Sequence, residues 1–113
     1  MEETRYIGTG NSYVQVNSAE ILRLENTPIT AEQIGLFLGW QQIPARVELS
    51  SRNTKQRWGT AIASEGRIIL YRHSVWTFLH EIAHIIAGHK CGHSGDFPVA
   101  LRGLYLAWKE IEG

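Results

Sequence analysis

The sequence predicts an α+β fold in which a small three-stranded antiparallel sheet packs on helices. Three short runs, ARVELS (45–50), RWGTAIAS (57–64) and RIILYR (67–72), read as strands. Residues 75–87 and the stretch from Pro98 onward repeat apolar side chains at three- and four-residue steps, the period of a helix. At 113 residues the chain can bury one modest core but not two, so a single domain spanning 1–113 is expected.

Taken in order, the first 26 residues are the least legible. YVQV (13–16) alternates like a strand, and SAEILRLEN (18–26) could open a helix capped by Ser18. Neither signal is decisive, and residues 1–26 carry no assignment. From Pro28 the signals sharpen. Thr30 and Gln33 form a capping-box pair, Ile34, Phe37 and Leu38 share one helical face, and Gly39 is the expected terminator. SEG (64–66) offers a glycine turn, so the second and third strands should pair as a hairpin. Ser74 is a good N-cap for the helix 75–87. Its core stripe should be Val75, Phe78, Leu79, Ile82, Ile85 and Ile86, with Thr77, His80, Glu81, His84 and Gly88 on the opposite side. Gly88 should end this helix, because glycine tolerates positive φ. The last helix should begin near Pro98 and close the core with Leu101, Leu104, Tyr105, Trp108 and Ile111.

Composition narrows the class. With 43% apolar and 19% charged residues the chain reads as a soluble globular protein. Eleven basic and eleven acidic side chains cancel, so no global field would recruit nucleic acid or an anionic membrane. Arg46, Arg52, Lys55, Arg57, Arg67 and Arg72 crowd one region, where a solvated surface is expected rather than a DNA site. Cys91 is the single cysteine, which excludes an intrachain disulfide and suits a reducing cytosol. No run approaches the roughly 18 apolar residues of a membrane span, and MEETRYIGTG is no signal peptide. A cytoplasmic location is expected, and no feature fixes an oligomeric state.

The chemistry concentrates in HEIAHIIAGHKCGHSGDF (80–97), which holds four of the five histidines. His80-Glu81-Ile82-Ala83-His84 is an H-E-x-x-H pattern. On a helix, residues four apart stand one above the other, so both imidazoles can reach one ion. Zinc accepts neutral histidine nitrogen and favours four ligands. Glu81 lies on the same side and is placed to take a proton from a water on the metal. Candidates for the third ligand are His93, His89, Asp96 and Glu110. His89 directly follows the helix exit and would need an immediate reversal. His93 has the loop HKCG in which to turn back, with Gly88, Gly92 and Gly95 supplying permissive dihedrals. Glu110 would make a His-His-Glu set, although a solvated position on the last turn is the simpler expectation. Cys91 reads as an incidental loop thiol, since no second cysteine gives zinc-ribbon spacing.

Arg57-Trp58-Gly59-Thr60, Gly66-Arg67-Ile68-Ile69-Leu70, the HEIAH run and His93-Ser94-Gly95-Asp96-Phe97 follow one another in a recognisable order. Over about residues 50 to 110 the chain resembles the SprT-like zinc metallopeptidases and their small relatives of the YgjP and WLM type. That resemblance implies a minimal zincin-like domain binding one zinc ion through His80, His84 and His93, with Glu81 as general base. It places a large aromatic at Phe97, and the strand 67–71 as the edge along which an extended protein or peptide substrate pairs. Larger members that repair DNA–protein crosslinks carry a zinc ribbon or basic extension, and none follows the last helix here. Trp58 is a candidate for shaping the site, and Tyr71 and Tyr105 are candidate donors to an oxyanion. Each has packing as its plainer role, and His73 reads as a surface residue. Two rivals stand beside the peptidase reading. One is a regulatory peptidase of the ImmA/IrrE type, with Glu110 as third ligand. The other is a non-catalytic zinc-containing module that binds a peptide, its shell closed by a fourth ligand such as Cys91, His89 or Asp96.

Overall fold

A computed structural model describes residues 4–6, 13–52, 57–88 and 96–112. In chain order the elements are β1 (Thr4–Tyr6), β2 (Tyr13–Asn17), α1 (Ser18–Glu25), α2 (Ala31–Gln41), β3 (Arg46–Leu49), β4 (Gly59–Ile62), β5 (Arg67–Leu70), α3 (Val75–Ala87) and α4 (Asp96–Glu112). β1 and β2 pair antiparallel as a separate two-stranded ribbon, and the other three strands form one sheet in the order β3-β5-β4.

The hairpin read from the sequence is present. β4 and β5 are antiparallel, with Gly59 opposite Leu70 and Ile62 opposite Arg67. A single 3-10 turn, Ala63–Glu65, joins them, and Gly66 at φ 60° makes the reversal that a side chain would resist. The all-antiparallel sheet is corrected: β3 runs parallel to β5, with Arg46 opposite Arg67 and Leu49 opposite Leu70. β4 and β3 lie on opposite edges of β5. Alternation along a strand records which face is buried, not which neighbour lies beside it or in which direction. β5 is central because it is the most buried strand, with Ile68 and Leu70 fully enclosed. The expectation that 67–71 is a pairing edge falls for the same reason, since β3 and β4 occupy both sides of β5.

The helices cover the sheet and one another. Ile21 and Leu24 of α1, Phe37 of α2, Phe78, Leu79 and Ile82 of α3, and Leu101 and Trp108 of α4 meet in one core with β5. Phe37 stands edge-on to Phe78, with centroids 5.7 Å apart, and leans on Trp108 at 5.4 Å, so α2 locks the two longest helices together. The expected capping box is formed: Gln33 N–H donates to Thr30 Oγ1, and Thr30 N–H donates to Gln33 Oε1. α2 nevertheless runs through Gly39 and ends at Gln42, which takes the left-handed conformation at φ 54°. A lone glycine weakens a helix by about 1 kcal/mol without having to end it. α1 is capped by Asn17 rather than Ser18, because the asparagine carboxamide oxygen accepts from Ala19 N at 2.7 Å. α4 begins at Asp96, ahead of Pro98, a first-turn position where proline's missing N–H costs nothing.

One network ties α1 to α4 at the surface. Glu20 accepts from Arg23 at 2.9 Å, from the Tyr105 hydroxyl at 2.9 Å, and meets Lys109 at 3.3 Å, while Arg23 also reaches Glu112 at 2.8 Å. The Arg23 guanidinium, chiefly, holds the Glu20 carboxyl down at about 2. Glu20 and Arg23 are one helical turn apart, but their partners Tyr105, Lys109 and Glu112 come from α4, a relation no local period reveals.

Candidate metal centre

α3 occupies the residues expected of it. The Ser74 hydroxyl caps it by accepting from Thr77 N at 3.3 Å, and Gly88, at φ 88°, lets the chain leave. Its start is also held from outside, where Val75 N–H donates to Thr27 O at 2.9 Å. The burial pattern differs from a simple two-faced helix. Val75, Phe78, Leu79 and Ile82 are core as expected, but Ile85 is only partly buried and Ile86 is 51% exposed. On the supposed polar side, Thr77 and Glu81 are buried. The cause is β4, which packs across that side of the helix and encloses what the helical period alone would leave to solvent.

His80 and His84 keep the one-above-the-other relation that their spacing demands, with ring centroids 5.0 Å apart and planes at 73°. Two imidazoles sharing a tetrahedral zinc, each nitrogen about 2.0–2.1 Å from it, have centroids about 5 Å apart, so this pair fits such an ion. Phe97, fully buried at the start of α4, lies against both rings, 4.5 Å from His84 and 5.0 Å from His80. It packs on the two imidazoles from outside their own helix.

Glu81 is only 8% exposed, and among the described residues no hydrogen bond or ion pair reaches its carboxylate. Burial alone pushes it up to about 7. The fully buried side-chain polar atoms without a partner among the described residues are Thr60 Oγ1 and Trp108 Nε1, so the Glu81 side chain is enclosed while its carboxylate oxygens keep some access to solvent. Its side chain lies along β4 at Gly59. A Cβ placed on that glycine would fall 2.8 Å from Glu81 Cγ and 3.1 Å from Oε2. Gly59 carries no side-chain chemistry in the R-W-G run, and a glycine inside a strand is the one sequence signal for such a close approach.

The remaining candidates are placed as follows. Trp58 is 39% exposed, with the Arg72 guanidinium carbon 3.9 Å from its ring centroid. Its carbonyl accepts from both Tyr71 N and Arg72 N at 2.9 Å, which clamps it beside Gly59. Tyr71 is partly buried. Tyr105 donates its hydroxyl proton to Glu20, and burial together with that bond pushes the phenol up to about 12. It stands eight residues beyond Phe97 on α4, about 12 Å along the axis. Glu110 is exposed, and thirteen residues beyond Phe97 puts it about 20 Å along α4, the far end from the histidine pair. Asp96 is exposed at the first residue of α4. His89, Cys91 and His93 lie outside the described residues. Among those described, no group of three His, Cys, Asp or Glu side chains is placed to share an ion. His73 is exposed, and its Nε2 lies 2.8 Å from Ser50 O, joining the end of β3 to the turn before α3. Of the basic cluster, Arg67 is paired with Glu48 at 2.8 Å and Arg72 is engaged by Trp58 and Asn26. No helix among the described residues is long and apolar enough to cross a membrane.

Comparison with protein-family models, with curated proteins and with solved structures gives no match to this chain.

Proposed function

We propose that this domain is a minimal zinc-dependent metallopeptidase, with His80, His84 and His93 holding one zinc ion and Glu81 acting as general base. The observation that carries the reading is the Glu81 side chain, 8% exposed, on the same side of the helix as two imidazoles whose ring centroids are 5.0 Å apart. Enclosing an ionisable side chain that makes no hydrogen bond to the protein works against stability, which favours a role for it in chemistry. Phe97, four residues after His93, stands against both rings, which supports drawing the H-S-x-x-F segment to the same centre. When bound, zinc supplies a Lewis acid that lowers the pKa of water and polarises a carbonyl oxygen.

The chain's own residues do the rest. His80 and His84 orient the ion, and Phe97 keeps their rings from turning away. Glu81 takes the proton of the attacking water and delivers it to the leaving amine nitrogen, the two proton transfers that peptide hydrolysis requires. A substrate strand would pair along β4, which among the described residues is bonded only to β5 and runs beside Glu81. That assignment moves the expected pairing edge from 67–71 to 59–62.

The test is zinc content and cleavage of a denatured, labelled protein by wild type, Glu81→Gln, His93→Ala and Glu110→Ala. Glu81→Gln should keep its zinc and lose cleavage, and Glu110→Ala should behave as wild type. Zinc binding untouched by His93→Ala would remove that residue from the ligand set. A wild type that binds zinc and cleaves nothing would turn the reading toward a peptide-binding module.

A further inference from the structure

We infer that Gly59 is the positioning residue for Glu81: its missing side chain is the space that sets where the carboxylate stands. The inference rests on the peptidase reading for its catalytic consequence, but the contact itself is independent of it. A Cβ at Gly59 would meet Glu81 Cγ at 2.8 Å, Oε2 at 3.1 Å and Cδ at 3.2 Å. All three nearest atoms belong to one side chain, so the glutamate lies lengthwise on the glycine rather than grazing it. Gly59 does not need to be glycine for its backbone, since the positive-φ glycines among the described residues are Gly66 and Gly88. Close approach is what it provides.

Neither backbone can retreat. Gly59 is held in register opposite Leu70, which is fully buried, and Trp58 O is fastened by two N–H donors from residues 71 and 72. On the other side, α3 is fastened by its Ser74 cap and the Val75–Thr27 hydrogen bond. A methyl group at position 59 must therefore be accommodated by Glu81 itself. The closest atom is Cγ, close to the helix backbone, so a rotation that clears it swings the whole carboxylate. His80 and His84 lie outside the contact and should keep their places.

A double-mutant cycle tests this with wild type, Gly59→Ala, Glu81→Ala and the double variant. In urea unfolding of zinc-free protein, Gly59→Ala should raise the unfolding constant of wild type by about tenfold or more, as overpacking does. In the Glu81→Ala background, where Cγ is gone, the same change should be neutral or stabilising. Equal effects in both backgrounds would overturn the inference. Should Gly59→Ala fail to fold alone, the double variant must recover folding, and an equally unfolded double variant overturns it too. With zinc added, Gly59→Ala should keep one ion per chain and an unchanged KM while kcat falls about 100-fold, the effect of misplacing a reacting group by about 1 Å. Full kcat, or loss of the zinc, would refute the positioning role. A wild type without activity would defeat the peptidase reading alone, and the urea cycle would still decide whether Gly59 seats Glu81.

Discussion

The stability of the metal-free protein should fall as pH rises from 4.5 to 7, and Glu81→Gln should remove that fall. Glu81 is the source: burial raises its pKa from 4.5 to about 7. Between those values the folded chain holds a proton at Glu81 that the unfolded chain has released. Stability therefore declines with pH across the window, is unaffected by Glu81 below about 4.5, and levels off above about 7. Each pH unit is worth about 1.4 kcal/mol, so the full span of roughly 2.5 units costs about 3 kcal/mol. The conversion is warranted because the side chain is almost entirely enclosed. Glutamine keeps the shape but cannot ionise, so only the pH dependence is compared, not the absolute stability. The assay is urea unfolding of chelator-stripped wild type and Glu81→Gln at pH 4, 6 and 8. The variant should gain about 3 kcal/mol on wild type between pH 4 and pH 8. Parallel profiles would mean that Glu81 is solvated or paired, and the central argument for a catalytic carboxylate would fail.

Other outcomes follow from the same geometry. Phe97→Ala removes a fully buried ring and the wall behind both imidazoles; it should cost about 3–5 kcal/mol in unfolding and weaken zinc binding measured by competition with a chelator. Ser74→Ala deletes the cap of α3 and a buried 2.8 Å contact with the Thr77 hydroxyl, and should cost about 1–2 kcal/mol in urea unfolding. Tyr105→Phe should cost about 1 kcal/mol at neutral pH and leave cleavage intact, whereas lost cleavage would put the phenol in the reaction. Glu20, held down at about 2 from 4.5, contributes stability above pH 4.5 that is lost as pH falls toward 2. Because the carboxylate is a quarter exposed, screening reduces that contribution to about 1 kcal/mol, and Glu20→Gln should flatten the acid limb by that amount.

Much of the helical architecture was legible because it is local. The Thr30–Gln33 capping box, the Ser74 cap and the Gly88 exit each involve residues within one turn, and each is formed as the sequence predicts. The β4–β5 hairpin is local as well, set by a turn of three residues and a glycine. What escaped was non-local. The direction of β3 depends on which side of β5 the chain returns to, and the α1–α4 network joins Glu20 to Tyr105 and Arg23 to Glu112. The end of α2 lies beyond Gly39, with Gln42 as the left-handed cap, because one glycine costs a helix only about 1 kcal/mol.

The candidate site divides along the same line. Sequence by itself determined that His80, Glu81 and His84 share one side of one helix, because 3.6 residues per turn leaves no alternative once Ser74 and Gly88 bound it. Only the tertiary structure decided what that side faces. β4 comes across it, Gly59 leaves room for the glutamate, and Phe97 arrives from α4 to hold the imidazoles. Helical period places a carboxylate at an angle about an axis, but its environment is made by elements distant in the chain. The enclosure of Glu81, which raises its pKa in the metal-free chain, is a property of that packing.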